Sequence, residues 1–460
     1  MPAPTNSADT PVPGRASGPV IGEGPASAAP SLRAAWWMVG VLFAVYVFAW
    51  LDRLILSMLV EPIKGTMALT DFQMSLILGP AFAVSYAIFG LPLGWAADRF
   101  QRRIVVFFGI ILWAAATVAC GFANSFETLL LARVLVGVGE AALLPCAYSM
   151  IADAFPRDKL TVATSTFQMA GKVGSATAFG LGGLAIAFAA GLGTVVLPLH
   201  GPAEPWQLVM IMVGAPGFLL AFLMFTIREP ERRNPGGTQE KDGALRTFIA
   251  ENRALIGLMM AAFSALALCG YSMTAWVPTF IGRQFHWSPA AYGPALSIMN
   301  LVAAASLVAN GKIVDKLFAG GMKDAHLRFY SWLILLVAPA VVSMFFLSNP
   351  WAFLACYGVV QFITVPFMVY LSSVLALLAP ARVRGQMIAI FMFVFTMLGM
   401  GVGPSLVGAL TDFVFQSDAK IGHSLAIVTI SSAAIAFVCL RLSLRYLGPA
   451  VARRLAEQPA

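Results

Sequence analysis

Charge is what this chain has least of. Asp, Glu, Lys and Arg together supply 11% of its 460 residues, where soluble domains carry about 25%. Apolar residues make up 59%, above the roughly 45–50% of soluble domains. A water-soluble fold of this length has no interior large enough for that excess, so the solvent is lipid. Cysteine is scarce too: Cys120, Cys146, Cys269, Cys356 and Cys439 all lie in apolar runs, with no CxxC or metal-ligand spacing. They read as small buried hydrophobes, and no disulfide framework, redox centre or metal site is indicated. His200, His286, His326 and His423 stand at span ends or in loops, away from the within-span positions expected of a proton relay. The net charge of +8 forms no continuous basic face, which argues against nucleic acid as a partner.

Residues 1–32 are rich in Pro, Ala, Ser and Gly without an apolar core. They read as a disordered tail lacking the hydrophobic segment of a signal peptide. The first apolar run is expected to act as the insertion signal and to stay in the protein.

Runs long enough for a spanning helix, about 20 apolar residues, fall at 34–62, 72–97, 103–124, 126–155, 159–191, 206–227, 253–284, 289–314, 327–348, 350–379, 383–415 and 422–446. The longest polar break, 228–252, holds Arg228, Glu229, Pro230, Arg232 and Arg233. The expected organisation is a cytoplasmic tail (1–33), a six-helix bundle (34–228), a cytoplasmic linker (229–252), a second six-helix bundle (253–447) and a cytoplasmic tail (448–460). With both termini inside, 23 of the 29 Lys and Arg are cytoplasmic. Lys64, Arg283 and Lys420 fall outside, and Arg53, Arg133 and Lys172 fall within spans. That bias sets the orientation. The bundles also echo each other: Gly94-Trp-Ala-Ala-Asp98-Arg99 closes the second helix and Gly311-Lys-Ile-Val-Asp315-Lys316 the eighth. Repeated halves with a site between them near the midplane are a recurring transporter design, and a channel or membrane enzyme has no need of them.

Three groups of residues carry chemistry. The first is the stretch Gly94 to Arg103, in which Asp98 sits at a membrane boundary among Arg99, Arg102 and Arg103. Such groups make charge-assisted bonds to neighbouring helix ends that hold one conformation and break in another, or they simply anchor a basic loop. The second is Arg133, Gly137 and Glu140, spaced i, i+4, i+7 and so on one helical face. Gly137 lets another helix approach both charges. At the helix centre each costs about 2.5–3.5 kcal/mol in lipid, so both should face inward, as a functional pair or as a static one. The third is Asp52-Arg53. By helical rise Asp52 lies roughly 27 Å above Ala34, while Arg133 and Glu140 lie about 10 and 20 Å below the outer end of their helix. Asp52 is thus level with Arg133, and Arg53 can reach down to Glu140. In this four-charge cluster two acids compete for two bases. A carboxylate beside an arginine favours its charged form and burial its neutral form, so conformational change can couple proton binding to transport through Asp52 or Glu140. The arginine so released suits an anionic headgroup. The other assignment makes Arg53 structural and Lys172, in Gln168-Met-Ala-Gly171-Lys172-Val-Gly174, the ligand-binding cation.

The Gly94–Arg103 stretch resembles the loop between helices two and three of the major facilitator superfamily, although Gln101 stands where a glycine is usual. That resemblance implies a cytoplasmic gating latch (Gly94, Asp98, Arg99, Arg102, Arg103) whose acidic partner is Asp153. Asp52-Arg53, Leu69-Thr70-Asp71, Trp113, Arg133 through Gly137-Val-Gly-Glu140-Ala and a Gly-rich fifth helix together are similar to the Spinster group of that superfamily. The resemblance implies an all-α membrane protein of twelve transmembrane helices in two pseudo-symmetric bundles. It implies a non-enzyme that moves a lysophospholipid or sphingosine-phosphate-like amphiphile by alternating access, with protons as coupling ion and no cofactor. The expected setting is the plasma (inner) membrane, as a monomer with a lipid or amphiphilic small molecule as its partner. Consistent with an amphiphile, helices seven, eight, ten and eleven lack central charges. They offer Ser272, Thr274, Asn300, Gln361, Thr364, Tyr370 and Thr396 among Phe, Met and Leu. The competing expectations are a proton-coupled symporter of small organic anions and a lipid-binding receptor that does not transport. Gly171, Gly174, Gly180, Gly182 and Gly183, mirrored by Gly399, Gly401, Gly403 and Gly408, read as close-packing positions.

Overall fold

The computed structural model describes residues 31–197, 201–232 and 244–456. His200, Arg233, and most of the 1–33 tail lie outside them. Among the described residues, twelve helices are long and apolar enough to cross a membrane. Spans 1 to 6 are Leu32–Met58, Asp71–Arg99, Arg102–Cys120, Phe126–Ala154, Asp158–Leu192 and Pro205–Thr226. Spans 7 to 12 are Arg253–Phe285, Pro289–Ala319, Ala325–Phe346, Pro350–Leu378, Val383–Phe415 and Asp418–Val451. Leu91, Leu219 and Leu336 are each more than 70% exposed, as an outer surface solvated by lipid allows.

The two halves are built alike. Span 1 packs on span 5, and span 7 on span 11. Span 3 packs on spans 4 and 6, while span 9 packs on spans 10 and 12. Spans 4 and 10 are both interrupted midway. In span 4 the helix stops at Glu140 and resumes at Leu143, because Pro145 has no N–H to offer the Ala141 carbonyl. In span 10 it stops at Thr364 and resumes at Phe367, where Pro366 denies Phe362 its partner in the same way. The break in span 4 falls directly after Glu140, in the middle of the bundle.

The halves meet along span 5 against span 8, span 2 against span 11, and span 1 against span 7. The first seam is tight enough to require glycine: a Cβ on Gly183 would stand 2.5 Å from the Pro289 carbonyl oxygen, and one on Gly293 would strike the Phe179 carbonyl. Span 11 contains two stretches of wider π-helical turn, Thr396–Val402 and Leu410–Phe415.

One local expectation needs correction, and two elements were not anticipated. The run read as one span over 34–62 ends at Met58, and a separate helix follows at Val60–Met67. Pro62 cannot donate to the Met58 carbonyl, so the hydrogen-bond ladder stops there. Part of the 229–252 linker is a helix, Ala244–Glu251, which buries Phe248. The loop between spans 5 and 6 forms a small antiparallel hairpin, with Val195–Leu197 paired to Gly201–Ala203.

Candidate coupling and substrate site

Span 1 delivers Asp52 and Arg53 to the centre, and the upper segment of span 4 delivers Arg133 and Glu140. Arg53 holds Glu140 with two contacts to the same oxygen: Nη2 lies 2.5 Å and Nε 2.6 Å from Oε2. Arg133 Nη1 stands 3.9 Å from Asp52 Oδ1, and the Thr117 hydroxyl donates to Asp52 Oδ2 at 2.7 Å. The pairing read from helix depth is therefore the pairing seen. Gly137 does what its size suggested: a Cβ there would lie 2.7 Å from the Phe82 carbonyl oxygen of span 2.

Asp52, Arg133 and Glu140 are buried, whereas the Arg53 side chain keeps 11% exposure. The Arg53 guanidinium sits 4.5 Å from the Phe82 ring centre and within 5.4 Å of those of Trp50 and Tyr86. The cluster is under-bonded. Asp52 Oδ1, Glu140 Oε1, and Nε and Nη1 of Arg133 are buried without a hydrogen-bond partner. Removing one partner of a buried pair typically costs about 3–5 kcal/mol, whereas the intact pair contributes little net stability. A cluster of this kind holds its charges where a proton or a ligand can change the pairing.

Beside it, between the halves, lies a cavity of about 120 Å3. Trp50, Lys172 and Ser175 line it from the first half, facing Thr274, Asn300 and Gln361 from the second. A smaller space of about 40 Å3 reaches Arg53 and shares Trp50, Leu54, Tyr271 and Thr274 with it. Two cations, Lys172 and Arg53, thus border neighbouring spaces separated by shared lining residues. Arg53 is engaged by Glu140, while Lys172 has no acidic partner among the described residues. The second half's polar groups divide. Thr274, Asn300, Gln361 and Thr364 gather at the cavity, where the Thr364 hydroxyl donates to Gln361 Oε1 at 2.9 Å. Ser272 is buried against span 11, and Tyr370 is stacked on Tyr330 at 4.1 Å between ring centres. The wall facing Lys172 mixes these polar groups with Leu266, Val365 and Phe367.

At the end of the bundle where span 1 begins and span 12 finishes, here called the termini end, Arg102 is fully buried and pairs with Asp153. It also reaches Glu229 Oε1 (3.2 Å), Ser149 Oγ (2.8 Å) and the Pro230 carbonyl (2.6 Å). Arg232 donates to the carbonyls of Ala97 and Phe100, each at 2.7 Å, and to that of Asp98. Arg99 lies over the Trp95 ring at 4.4 Å, and Arg103 reaches the Ile227 carbonyl at 3.4 Å. Glu229 and Arg232 belong to this group although only Asp153 was anticipated; their signal was an Arg-Glu-Pro-Glu-Arg run directly after span 6. All these partners belong to the first half and the start of the linker. Gly94 has open space where a Cβ would be, and Trp95 is 52% exposed. The Asp98 carboxylate is exposed and carries no bond to the second half among the described residues.

The opposite end holds a cluster that the pattern of the chain did not reveal. Asp71, fully buried at the start of span 2, accepts Lys64 Nζ at 2.5 Å and both terminal nitrogens of Arg283, from span 7, at 2.7 and 2.8 Å. Lys64 continues to Asp418 (2.7 Å) and Arg283 to Glu61 (2.8 Å). The Phe72 N–H donates to Asp412 at 2.6 Å, and the Asp71 backbone fills the space a Cβ on Gly408 would need. The carboxylates of Asp71, Asp412 and Asp418 lie within 4.8 Å of one another. Lys64 and Arg283 pair with two of them, Asp71 and Asp418, and Asp412 accepts the Phe72 N–H, so the arrangement is an ion-pair network. It ties the halves together at this end, while at the end with the termini the Arg102 pairs stay within the first half and the linker.

A sequence model described as Major Facilitator Superfamily matches residues 42–404. The chain is 26% identical to an "MFS-type efflux pump" of Mycolicibacterium smegmatis, covering 90% of this chain and 94% of that protein. It is 23% identical to a "D-galactonate transporter" of Escherichia coli O6:H1, covering 89% and 95%. It is 27% identical to the "Sphingosine-1-phosphate transporter SPNS2" of Danio rerio, covering 53% of this chain and 47% of that one. Among solved structures, a bacterial homologue of the human lysosomal transporter Spinster superposes with a TM-score of 0.74 at 22% identity, over 94% of this chain and 99% of that chain.

Proposed function

The chain belongs to the Major Facilitator Superfamily, and from that footing we propose that it is a proton-coupled secondary transporter of an amphiphilic anion, such as a lysophospholipid or a sphingosine-phosphate-like lipid. The observation that carries this reading is the buried Asp52–Arg53–Arg133–Glu140 cluster, whose Arg53 borders a small space next to the cavity lined by Lys172. In this reading Glu140 takes a proton when the cavity opens to acid. Its hold on Arg53 weakens, and Arg53 and Lys172 together receive the anionic headgroup. Loss of the proton restores the Arg53–Glu140 pair and expels the headgroup. Asp52, balanced by Arg133 and Thr117, is the second candidate for the proton.

The cross-half ion pairs at one end, and the confinement of the Arg102 pairs to one half at the other, support an alternating-access cycle caught with the termini end open. The excess of Lys and Arg at that end supports a cytoplasmic location for it in a plasma (inner) membrane, so this state is inward-facing. Arg102 braces the start of span 3 against Asp153 of span 4 and the start of the linker in this state.

One observation favours a second reading, a proton-coupled symporter of small organic anions. Thr274, Asn300, Gln361 and Thr364 converge on a cavity of only about 120 Å3, which suits a hydroxylated acid as well as a lipid headgroup, and a D-galactonate transporter is among the relatives. Counterflow in proteoliposomes under an imposed pH gradient separates the two. Labelled lysophosphatidic acid or sphingosine-1-phosphate should exchange faster with the gradient on. Gradient-driven flux of D-galactonate alone would replace the first reading with the second. Specific binding without flux of any ligand would indicate a receptor.

A further inference from the structure

The 2–3 loop and the segment after span 6 border a shallow, open pocket of about 520 Å3, within the usual size range of ligand sites, about 300–1,000 Å3. Five arginines line it, Arg99, Arg102, Arg103, Arg228 and Arg232, against two acids, Glu229 and Glu231. Two of the arginines are already used: Arg102 is bonded to Asp153 and Glu229, and Arg232 to the last carbonyls of span 2. The other three carry no acidic partner among the described residues. Arg99 rests on Trp95, Arg228 is exposed, and Arg103 has a buried Nε without a hydrogen-bond partner. Holding three guanidiniums together on a concave surface is unfavourable unless an anion joins them, and the guanidinium fork matches phosphate oxygens.

The position of the pocket identifies the anion. It lies where spans 2, 3 and 6 end, at the level of lipid headgroups. Trp95 and Phe100, 52% and 57% exposed, flank it, as interfacial aromatics do. The Arg102 N–H in the first turn of span 3 is taken by Glu229 Oε1 at 2.8 Å, which leaves the guanidiniums as the groups free to receive an anion here. We infer that this pocket is a headgroup site for an anionic phospholipid of the surrounding leaflet, whose phosphate bridges the 2–3 loop to the start of the linker. Arg99, Arg103 and Arg228 are its ligands, and Arg102 and Arg232 build its walls. Because the loop moves with spans 2 and 3, a bound lipid favours the state in which the loop and linker are joined as seen here.

The test is lipid retention by the full-length chain, read by native mass spectrometry after exchange into detergent supplemented with phosphatidylglycerol or phosphatidylcholine. Wild-type protein should retain one phosphatidylglycerol in preference to phosphatidylcholine. Each basic residue near a charged lipid contributes about fivefold in affinity, so the triple variant Arg99→Gln/Arg103→Gln/Arg228→Gln should lose on the order of a hundredfold. Arg228→Gln alone, at an exposed position that folding should tolerate, should lose about fivefold. Replacing all three by Lys should restore most of the preference. Unchanged phosphatidylglycerol retention in either Gln variant overturns the site. Displacement of the lipid by millimolar inorganic phosphate, with no difference between the two lipids, would instead make it a site for a free anion.

Discussion

The two ends of this molecule use the same chemistry to opposite effect. At the far end, Asp71 of span 2 is clasped by Arg283 of span 7 and by Lys64, so one buried carboxylate joins the two halves. At the end with the termini, Arg102 is as deeply buried and as heavily bonded, yet Asp153, Ser149, Glu229 and Pro230 all come from its own half or the linker. Charge-assisted bonds across the seam close one end, while those within a half leave the other free to part. The central cluster lies between them on the first half only. Whatever chooses between the ends has to act through spans 1 and 4, because the facing wall of the cavity is neutral.

The far-end clasp should be the costliest to break. Asp71→Asn leaves Arg283 and Lys64 without their buried counter-charge, and loss of one partner in such a network costs about 3–5 kcal/mol. That is enough to shift the population toward a state open at the far end. In a cysteine-free background, Ser57→Cys, which lies beneath the clasp beside the small cavity, should react at least tenfold faster with a membrane-impermeant thiol reagent once Asp71→Asn is added. An unchanged rate would mean that the network decorates a closed end held by packing alone.

Next in size is the effect of the central acids. Glu140→Gln removes the group that holds Arg53, and Asp52→Asn the group that faces Arg133. Each should abolish uptake driven by a pH gradient while sparing exchange or binding, and neither should alter thiol labelling at Ser57→Cys as strongly as Asp71→Asn does. Wild-type pH dependence in both variants would remove the cluster from the coupling mechanism.

These effects also mark what the chain discloses locally and what it does not. The twelve spans were readable because lipid demands long apolar helices, and the depth of Asp52, Arg53, Arg133 and Glu140 followed from helical rise. Asp153 was readable as a partner only through the resemblance of the 2–3 loop to that of the superfamily. The far-end clasp was not: Asp71 and Arg283 are 212 residues apart, Lys64 and Asp418 are 354 apart, and their meeting depends on how two bundles are rotated against each other. Lys64 and Arg283 stood out only as rare basic residues on the wrong side for orientation. Their partnership with Asp71 gives a reason for that exception. The gathering of Thr274, Asn300, Gln361 and Thr364 was hidden for the same reason, since they come from three different spans and converge only once the second bundle packs.

A smaller effect should distinguish Lys172 from Arg53. A hydrogen bond to a charged group is worth about 1.5–3 kcal/mol, so Lys172→Gln should weaken a phosphate-headed ligand about tenfold and leave a neutral lipid nearly unchanged. Arg53→Ala should show the same selectivity if Arg53 also receives the headgroup. Equal losses for charged and neutral ligands would assign Arg53 to holding Glu140 alone. Either outcome bears on the ends, because a ligand bound to the first half can drive closure only if it also meets the second.

The smallest expected effect is at Asp153, and it is the most direct test of the contrast between the ends. Asp153→Asn removes one charge from Arg102 but leaves Glu229, the Ser149 hydroxyl and the Pro230 carbonyl in place, and the Asp153 side chain is 16% exposed. With those partners left, the loss should be about 1 kcal/mol, that of an ordinary hydrogen bond. Because every remaining partner lies in the same half or the linker, the population of the two end-states should hardly move. Thermal unfolding should fall slightly, and labelling at Ser57→Cys should stay at the wild-type rate. A labelling change as large as that from Asp71→Asn would mean that Arg102 and Asp153 bind the second half in the other state, making the apparent asymmetry between the ends a feature of this one conformation. Retention of the wild-type rate would instead make Arg102 a brace of the first half, with closure at this end left to other residues.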